Sequence, residues 1–341
     1  MSAGFSVSGK TAIVTGAGSG TPTPGDLHAV LHRIKKRSEL TRAHPPPGIN
    51  LAFAQLLLSR GCNVILADLA LRPEAQALLS KHKSPSSSPR AVFVETDVTS
   101  WPALDRMLDV AASEFGGFDI LCPGAGVYEP LWSNFWLPPG SESSKDRTDA
   151  GHYALLDINL NHPIRATQLA ISRWLHPASG PKASPSNPKR IIHIASVASQ
   201  VPVFRAPLYA ASKFAIAGFV RSLAPLDEEY GIRVTAVAPG VVRTPLWTEN
   251  PEKLAIVHEG KDAWVTPDEV AEAMLSCVED EGRVGGTVLE VGAGHTRVVG
   301  VYNDPGPDHR PEAGLILSDG SAGDEQVHGW LKDEKVWGQS S

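Results

Sequence analysis

The sequence predicts an α/β fold, a single doubly wound domain whose parallel sheet of about seven strands carries helices on both faces. Short apolar runs of the buried-strand type alternate along the chain with longer segments of helical periodicity. Glycines, prolines and polar side chains come directly after several of these runs. The carboxyl ends of parallel strands meet at one edge of a sheet, where ligands bind in folds of this kind. The pattern therefore predicts both the architecture and the edge that carries a site.

The individual elements follow from these runs and from the residues that end them. We assign strands to residues 10–15, 63–68, 91–98, 118–122, 190–195, 233–238 and 287–291. We assign helices to residues 49–60, 101–115, 152–175, 209–230 and 266–281. Gly61 follows the first helix as a C-terminal glycine, and Pro225 is expected to kink or end the fourth.

A glycine-rich turn, Gly16-Ala-Gly-Ser-Gly20, follows the first predicted strand. Glycines there let the backbone approach a pyrophosphate, whose charge then lies at the N-terminus of the next helix. The predicted ligands are Gly16, Gly18, Ser19 and Gly20, with Ile49 at the start of the following helix. A glycine turn after a strand is a good indication of a dinucleotide site, and an ordinary glycine-rich turn is the alternative.

Residues 21–48 interrupt this predicted strand–turn–helix unit. The segment is rich in proline and basic residues, and the helical pattern begins only at Ile49. A ribose-binding acid is expected about 20 residues after the turn. Asp68 lies 52 residues after Gly16, or 24 when residues 21–48 are set aside. We predict one domain over residues 1–300, interrupted by an insertion at 21–48 that is either a translated non-coding segment or a functional surface loop. A poorly structured tail is expected over 301–341.

Composition places the chain among globular proteins with a substantial core. The 341 residues are 42% hydrophobic and 20% charged, and the net charge of −6 gives no support for nucleic-acid binding. No apolar run reaches the length of about 18 residues that a membrane helix needs, and the N-terminus lacks the pattern of a signal peptide. The 3 cysteines are scattered, without the spacing of metal ligands or of a disulfide framework. We therefore expect a cytoplasmic protein without a metal site.

Tyr209 and Lys213 are four residues apart in a predicted helix and therefore share one face. A free phenol has a pKa near about 10, and a neighbouring ammonium is expected to lower that pKa. The pair would then act as a general base on a substrate hydroxyl. Ser196, at the end of the preceding strand, could hold the substrate oxygen beside the phenol. A Tyr–Lys pair at this spacing also occurs by chance on solvated helix faces, so the surrounding motifs carry the argument.

These motifs together resemble the short-chain dehydrogenase/reductase family, and the resemblance covers residues 7–20 and 49–295. It rests on Ser196 with Tyr209-Ala-Ala-Ser-Lys213, the glycine turn after Thr15, the Asp97-Val98 pair and Pro239-Gly240-Val-Val-Arg-Thr244. Within the family the chain is similar to fungal NAD-dependent 15-hydroxyprostaglandin dehydrogenase-like proteins. The resemblance implies a Rossmann-type domain and hydride transfer between a nicotinamide cofactor and a secondary alcohol or ketone.

The resemblance also implies a role for each matched residue. Tyr209 is the general acid/base, Lys213 binds the nicotinamide ribose and Ser196 holds the substrate oxygen. Asn159 is expected to hold a water that links Lys213 to solvent. The further cofactor contacts are Asp97 and Val98 at the adenine, Val242 and Thr244 at the nicotinamide carboxamide and, elsewhere, Asp68, Leu69, Gly124, Ala125, Gly126, Pro239 and Gly240.

Asp68 favours NAD over NADP. A carboxylate accepts hydrogen bonds from both ribose hydroxyls and repels a 2′-phosphate, and no Arg or Lys stands immediately beside Asp68 in the sequence. A surface carboxylate that caps the next turn is the alternative. Several positions depart from the family pattern. Asn50, or Pro22 if the insertion is counted, stands where a third glycine is usual, and Pro123-Gly124 removes an asparagine that normally braces the sheet.

Two classes of function compete on this sequence. The first is an NAD-dependent dehydrogenase of an apolar alcohol or ketone, since Trp247 and Trp264 fall in a segment, 245–265, that would cover the substrate. Lid packing explains these aromatics equally well. The second is a protein of the same fold that is non-enzymatic, or whose cofactor binding is impaired by residues 21–48. The resemblance implies a homodimer or homotetramer, and neither a nucleic-acid nor a membrane partner is expected.

Overall fold

The computed structural model describes residues 4–18, 47–84, 86, 88–248, 263–301 and 328–333, and of Trp247 and Thr248 the backbone alone. Most of the segment 21–48 and most of the tail 301–341 lie outside the described residues, as do Ser19 and Gly20. The predicted insertion and the choice between its two interpretations therefore stay predictions.

The described strands form one 8-stranded sheet in the order β3-β2-β1-β4-β5-β6-β7-β8. They are β1 Thr11–Thr15, β2 Asn63–Asp68, β3 Ala91–Glu95, β4 Ile120–Cys122, β5 Lys189–Ile194, β6 Ile232–Pro239, β7 Val288–Gly292 and β8 His295–Val298. Strands β1 to β7 pair in parallel, and β8 pairs with β7 antiparallel. The predicted doubly wound parallel sheet is confirmed. The edge strand β8 was not predicted because all of its residues are exposed and it has no apolar pattern.

Helices lie on both faces of this sheet. They are α1 Ile49–Ser59, α2 Pro73–His82, α3 Trp101–Phe115, α4 Ala154–Leu156, α5 His162–Leu175, α6 Pro207–Ser222, α7 Pro225–Tyr230, α8 Pro245–Thr248 and α9 Pro267–Glu279. Gly61 follows α1 with a φ of 84°, a left-handed value that favours glycine. The predicted bounds of α1 are thus close to those observed. Helix α2 was not predicted, and it buries only Ala75.

Each face of the sheet has its own hydrophobic core. Along β1, Ile13 belongs to one core and Val14 to the other, as the alternation of side chains in a strand requires. Residues of α3, α5 and α6 close the first core, and residues of α1 and α9 close the second. Because both faces are covered, the central strands are continuous apolar runs, and this is why the sequence reveals them.

Two segments differ from their predicted form, and a third has the break that was expected at Pro225. The predicted helix 152–175 contains a π-helical turn, Asp157–Asn161, between α4 and α5. The predicted helix 209–230 is divided near Pro225, which begins α7, as expected for a residue without an N–H. Residues 328–332 form a helical turn whose Leu331 is buried in the first core, although little core was expected beyond Gly300.

The strand order creates a crevice at the carboxyl ends of β1 and β4. The chain moves outward from β1 to β2 and β3, and it then crosses to β4 on the other side of β1. The connections after these two strands therefore diverge over opposite faces, and ligands bind in such a crevice.

No helix in the described part of the chain is long and apolar enough to cross a membrane.

Candidate active site

Tyr209 and Lys213 lie on one face of α6, directly beyond the carboxyl end of β5. Pro207 begins the helix, so Tyr209 lies in its first turn and Lys213 one turn further on. The Lys213 ammonium lies 5.5 Å from the centre of the Tyr209 ring and donates a 2.8 Å hydrogen bond to the Ile194 carbonyl at the end of β5. The fold brings the two predicted residues together, while their roles stay predictions.

Ser196 follows β5 and lies beside the Tyr209 phenol. Ser196 acts on the phenol as a hydrogen-bonding neighbour that lowers its pKa, and Ser196 Oγ also accepts a hydrogen bond from the Ala198 N–H at 3.2 Å. The second bond caps the short 3₁₀ turn Val197–Ser199 and holds Ser196 in place. The end of β5 thus presents two adjacent hydroxyls that could contact one oxygen atom of a ligand.

Burial shifts the pKa values of this pair in opposite directions. It raises the pKa of Tyr209 to about 12, against the effect of the Ser196 hydrogen bond, and it lowers the pKa of Lys213 to about 8. The net shift of the phenol pKa is therefore upward, because loss of water around Tyr209 outweighs the effect of Ser196. That Lys213 lowers this pKa stays a prediction. Near neutral pH the pair is a neutral phenol beside a cationic amine, which is its proton-donating form.

Asn159 is buried in the π-helical turn before α5. Its Oδ1 accepts from the Val127 N–H and its Nδ2 donates to the Val127 carbonyl, each at 2.8 Å. Nδ2 also lies 3.4 Å from Ser212 Oγ on α6. A π turn is frequent at functional sites, and here it directs Asn159 towards the loop after β4. Asn159 therefore joins three segments of the site, and its water-holding role stays a prediction.

The loop after β4 fits closely against these groups. A Cβ at Gly126 would lie 3.3 Å from Asn159 Oδ1 and 3.9 Å from Lys213 Nζ, so both side chains converge on this glycine. The Ala125 N–H donates to Thr15 Oγ1 at 3.1 Å, which joins the loop to the end of β1. The loop therefore lies between the glycine turn and the Tyr209 helix.

A buried histidine contacts the same link between the end of β1 and the β4 loop. Thr15 Oγ1 lies 3.2 Å from His162 Nε2, and His162 Nδ1 lies 3.1 Å from the Ile158 carbonyl. Burial lowers the pKa of His162 to about 4, so the ring is neutral at physiological pH. A neutral ring that donates from Nδ1 and accepts at Nε2 satisfies both contacts. These hydrogen bonds hold the β4 loop, in which Pro123-Gly124 replaces the asparagine that is usual in the family.

The end of β2 shapes the glycine turn after β1. Gly16 has a φ of 73°, which favours glycine. The Gly18 N–H donates to Asp68 Oδ2 at 2.7 Å, and a Cβ at Gly18 would lie 2.7 Å from that oxygen and would also contact the Ala70 carbonyl. The turn can approach Asp68 this closely only because position 18 carries no side chain.

Asp68 is buried, with 6% of its surface exposed. Its Oδ1 accepts from the Leu69 N–H at 2.7 Å, so each carboxylate oxygen has one backbone donor and keeps a lone pair for a ribose hydroxyl. Burial raises the pKa of Asp68 to about 6, whereas the backbone donors and the charge of Arg72 act in the opposite direction. Arg72 was not predicted because it is not adjacent to Asp68 in the sequence. The backbone N–H of Arg72 donates a hydrogen bond to the Gly18 carbonyl at 3.1 Å, so Arg72 lies against the glycine turn.

Asn50 fills the space that two glycines leave. It lies in the first turn of α1, and its side chain packs between Gly16 and Gly124. A Cβ at Gly124 would contact the Asn50 carboxamide, with Cγ at 2.7 Å and Nδ2 at 2.9 Å, and a Cβ at Gly16 would lie 2.7 Å from Nδ2. The two departures from the family pattern, Asn50 and Gly124, are therefore complementary in the fold.

The predicted adenine contacts follow β3. Asp97 Oδ1 accepts from the N–H and the hydroxyl of Thr99, at 2.9 and 2.7 Å, so the acid shapes its own turn. Val98 is partly buried against the first core, and Ile49, at the start of α1, packs against the second. Ser19 and Gly20 lie outside the described residues.

The predicted nicotinamide contacts follow β6, which ends at Pro239. The Gly240 N–H donates to the Val291 carbonyl at 3.0 Å and so joins this loop to β7. Val242 and Thr244 are buried. Of the segment predicted to cover the substrate, Trp264 lies 5.5 Å from the Arg243 guanidinium, whereas residues 249–262 and the Trp247 side chain are not described.

Two residues beside Tyr209 were not predicted. The Tyr128 ring lies 4.8 Å from the Tyr209 ring at an angle of 55°. Glu129 is 5% exposed, and its Oε2 accepts from the Tyr209 N–H at 2.9 Å, which places a carboxylate at the N-terminus of α6. The sequence signal for Glu129 is a single acid in the apolar, proline-containing stretch 127–138.

The residues along this edge fit an extended dinucleotide. The turn at Gly16 and Gly18 admits no side chain, and α1 begins with neither a side-chain cap nor an acid in its first turn. A helix start of this kind suits the negative charge of a diphosphate. Asp68 lies at one side of the turn, and Tyr209 and Lys213 lie beyond the β4 loop on the other.

Comparisons with known proteins agree with this geometry. A family model described as short chain dehydrogenase matches residues 46–255, more than half of the chain. Cis-4-hydroxycyclohexanecarboxylate dehydrogenase of Sinomonas cyclohexanicum is 29% identical over 255 residues, 74% of this chain and 93% of the relative. Galactitol 2-dehydrogenase of Agrobacterium fabrum is 32% identical, with 68% and 78% covered. The NAD(+) 15-hydroxyprostaglandin dehydrogenase of Mus musculus is 28% identical, with 72% and 86% covered.

Solved structures share the fold. A short chain dehydrogenase from Burkholderia cenocepacia in complex with NADP has a TM-score of 0.61 at 24% identity, covering 85% of this chain and 99% of that one. A 3-ketoacyl-(acyl-carrier-protein) reductase from Brucella melitensis complexed with NADH has a TM-score of 0.61 at 21% identity, with the same coverage of 85% and 99%. From the family match and the relatives together, the chain belongs to the short chain dehydrogenases, oxidoreductases that act on alcohols and ketones.

Proposed function

We propose that the protein is an NAD-dependent dehydrogenase that interconverts a secondary alcohol and a ketone, with Tyr209 as the general acid/base. The observation that carries this proposal is the Tyr209 phenol, whose pKa is lowered by the neighbouring Ser196 and which lies on the same helix face as Lys213. A phenol, a second hydroxyl and a cation at one strand end are the groups that proton transfer to or from a substrate oxygen requires.

The substrate oxygen would lie between the hydroxyls of Ser196 and Tyr209. In reduction, the neutral phenol gives its proton to the carbonyl oxygen as the carbon receives the hydride. In oxidation, the phenol must first lose its proton to solvent, and the phenolate then takes the hydroxyl proton as the carbon gives up its hydride. The nicotinamide, when bound, supplies the hydride donor or acceptor. Lys213, which donates to the Ile194 carbonyl, would bind the adjoining ribose and bring positive charge near the phenol. Asn159 holds the β4 loop in register with these groups.

Asp68 supports NAD as the cofactor, because its carboxylate can accept from ribose hydroxyls and repels a 2′-phosphate. Arg72 acts in the other direction, since its charge favours an anion at the same place. The relative from Mus musculus is named for NAD(+), whereas the solved structures include complexes with NADP and with NADH. We favour NAD because Asp68 is directly bonded to the glycine turn.

The substrate class proposed is an apolar alcohol or ketone, handled by a cytoplasmic homodimer or homotetramer. The Tyr128 ring contacts the Tyr209 ring, and Glu129 joins the backbone of Tyr209 to that of the exposed Phe135, which supports the apolar part of this proposal. The relatives named above act on hydroxylated compounds as different as galactitol and a hydroxycyclohexanecarboxylate.

Titration with NADH and with NADPH, followed by nicotinamide fluorescence, tests this proposal. The full chain and a version that lacks residues 21–48 are compared. We expect both to bind NADH more tightly than NADPH and to oxidise secondary alcohols. Binding by the shortened version alone would show that residues 21–48 impair the cofactor site. Binding by neither version would overturn the cofactor assignment and the proposed reaction with it.

A further inference from the structure

An exposed group of aromatic side chains lies beside the proposed reaction centre. We call Phe135, Trp136 and Phe204 the aromatic shelf. Their exposed fractions are 50%, 47% and 82%. The Trp136 ring lies 4.7 Å from the Phe204 ring and 5.0 Å from the Phe135 ring, and the Trp136 indole N–H donates to the Phe204 carbonyl at 2.9 Å. The rings therefore form one ordered apolar surface.

A single buried carboxylate ties this shelf to Tyr209. Glu129 Oε1 accepts from the Phe135 N–H at 2.9 Å, and its Oε2 accepts from the Tyr209 N–H at 2.9 Å. Each oxygen thus holds one backbone N–H, and the Glu129 side chain is 5% exposed. The shelf is thus fixed at the N-terminus of the helix that carries Tyr209.

Arg205 brings a positive charge to the inner side of the shelf. Its Nε donates to the Tyr128 hydroxyl at 2.9 Å, and the Tyr128 ring contacts the Tyr209 ring at 4.8 Å. This bond uses one of the five N–H donors of the guanidinium. In the two segments that form the shelf, 127–138 and 197–206, the charged residues are the buried Glu129 and the exposed Arg205.

We infer that the substrate is an apolar hydroxy acid, a secondary alcohol whose hydrocarbon body lies on the aromatic shelf and whose carboxylate binds Arg205. This inference rests on the proposed dehydrogenase function and names its substrate class. A planar guanidinium binds a carboxylate through two parallel hydrogen bonds. One cation among aromatic rings matches a monoanionic carboxylate better than a phosphate dianion. Continuity with Tyr209 through Tyr128 assigns the surface to the substrate rather than to a remote partner.

The test compares acids with their own methyl esters, which keep the hydroxyl and the hydrocarbon body but lose the charge. The probes are racemic 3-, 5- and 8-hydroxydecanoate and their methyl esters, oxidised by the full chain with NAD⁺. We expect kcat/KM to favour the acid by about tenfold for at least one hydroxyl position, since a charged hydrogen bond has about that effect. Equal kcat/KM for acid and ester at all three positions would overturn the inference.

Substitutions distinguish the effect of the Arg205 charge from that of the apolar surface beside it. We expect Arg205→Gln to reduce the acid-to-ester ratio to about one, and Arg147→Gln, an exposed arginine paired with Asp149 in the same region, to leave it unchanged. Phe204→Ala should raise KM for acid and ester by similar factors, because both use the apolar surface. A ratio that survives Arg205→Gln would contradict the inference. So would a Phe204→Ala variant that loses self-association, measured by sedimentation, with KM unchanged.

Binding without turnover keeps the two proposals distinguishable. Quenching of tryptophan fluorescence by each acid and ester reports occupancy of the shelf, where Trp136 lies. Selective binding of an acid that is lost in Arg205→Gln, without oxidation of any alcohol by NAD⁺ or NADP⁺, would support the ligand class and overturn the dehydrogenase proposal. Oxidation of the esters and acids at equal rates, without selective binding of the acids, would support the dehydrogenase proposal and overturn the inferred ligand class.

Discussion

The loops after β5 and after β1 lie at the same edge of the sheet but are assembled in different ways. After β5, Ser196, Tyr209 and Lys213 belong to one stretch of chain, and Lys213 bonds the last carbonyl of the strand itself. After β1, the space is closed by Asn50 from α1, by Asp68 from β2 and by Gly124 from the β4 loop. The first region can therefore be recognised from residue spacing. In the second, spacing indicates the glycine turn and Asp68, but the packing of Asn50 against Gly124 follows only from the fold.

This difference predicts how each region responds to substitution. A functional group on one helix can be removed while its backbone frame remains. Contacts between several segments are coupled, so substitutions there are not additive. The first two predictions below probe chemistry that a single side chain carries, and the last two probe groups whose behaviour depends on their neighbours.

The largest effect is expected from Tyr209→Phe. General acid/base catalysis contributes about 10²–10⁴-fold, so kcat should fall by that factor, while NADH binding is retained because the ring and helix are unchanged. Tyr230→Phe is the control, since its hydroxyl contacts His328 away from the site. Steady-state oxidation rates and NADH fluorescence measure both. A Tyr209→Phe enzyme with more than about a tenth of the wild-type kcat would exclude Tyr209 from proton transfer.

The next largest effect concerns Asp68→Ser. Removing the carboxylate takes away the ribose acceptor and leaves Arg72 to attract a 2′-phosphate. We expect the ratio of NADPH to NADH dissociation constants to fall by about 10–100-fold, the range for hydrogen bonds to charged groups. Asp109→Ser, an exposed acid on α3 that pairs with Arg173, is the control. An unchanged ratio in Asp68→Ser would show that another residue selects the cofactor.

A double substitution tests the complementarity of Asn50 and Gly124. Gly124→Asn alone should overpack the crevice at a cost of about 1–3 kcal/mol, lowering Tm and weakening NADH binding. Adding Asn50→Gly should restore both, because it returns the volume that the new side chain needs. Thermal unfolding and NADH titration of the two single variants and the double variant give the coupling. If the second substitution restores nothing, the two positions do not share one space.

The smallest effect is a pH dependence of cofactor selection. Asp68 has its pKa raised to about 6, above the unfolded value of about 3.9. Its contribution to stability is therefore largest below about pH 4 and is lost as pH rises through about 6. Below pH 6 the neutral acid no longer repels a 2′-phosphate. The ratio of the NADPH to the NADH dissociation constant should therefore fall a few-fold as pH is lowered. The 2′-phosphate of NADPH also titrates in this range, and the Asp68→Ser variant measures that effect alone. If the ratio for the wild-type protein changes with pH just as it does in Asp68→Ser, the prediction is contradicted.

Sequence reasoning succeeded where the relevant pattern is local. The strands of the parallel sheet are covered on both faces and so consist largely of apolar residues, and the Tyr209–Lys213 pair follows from helical spacing alone. It failed where exposure or distance hides the signal. Strand β8 is exposed along its whole length, and the buried Glu129 is revealed only by the backbone that it holds.

The sequence by itself determined the sheet, the edge at which its loops gather, and the hydroxyl, phenol and amine after β5, because periodicity and short spacings encode all of these. The tertiary structure decided the rest. It showed that burial raises the phenol pKa where a neighbouring charge was expected to lower it. It also placed Arg72 beside Asp68 and Asn50 in the space left by Gly124. These results depend on which distant segments exclude water or share a volume, and no local pattern records that.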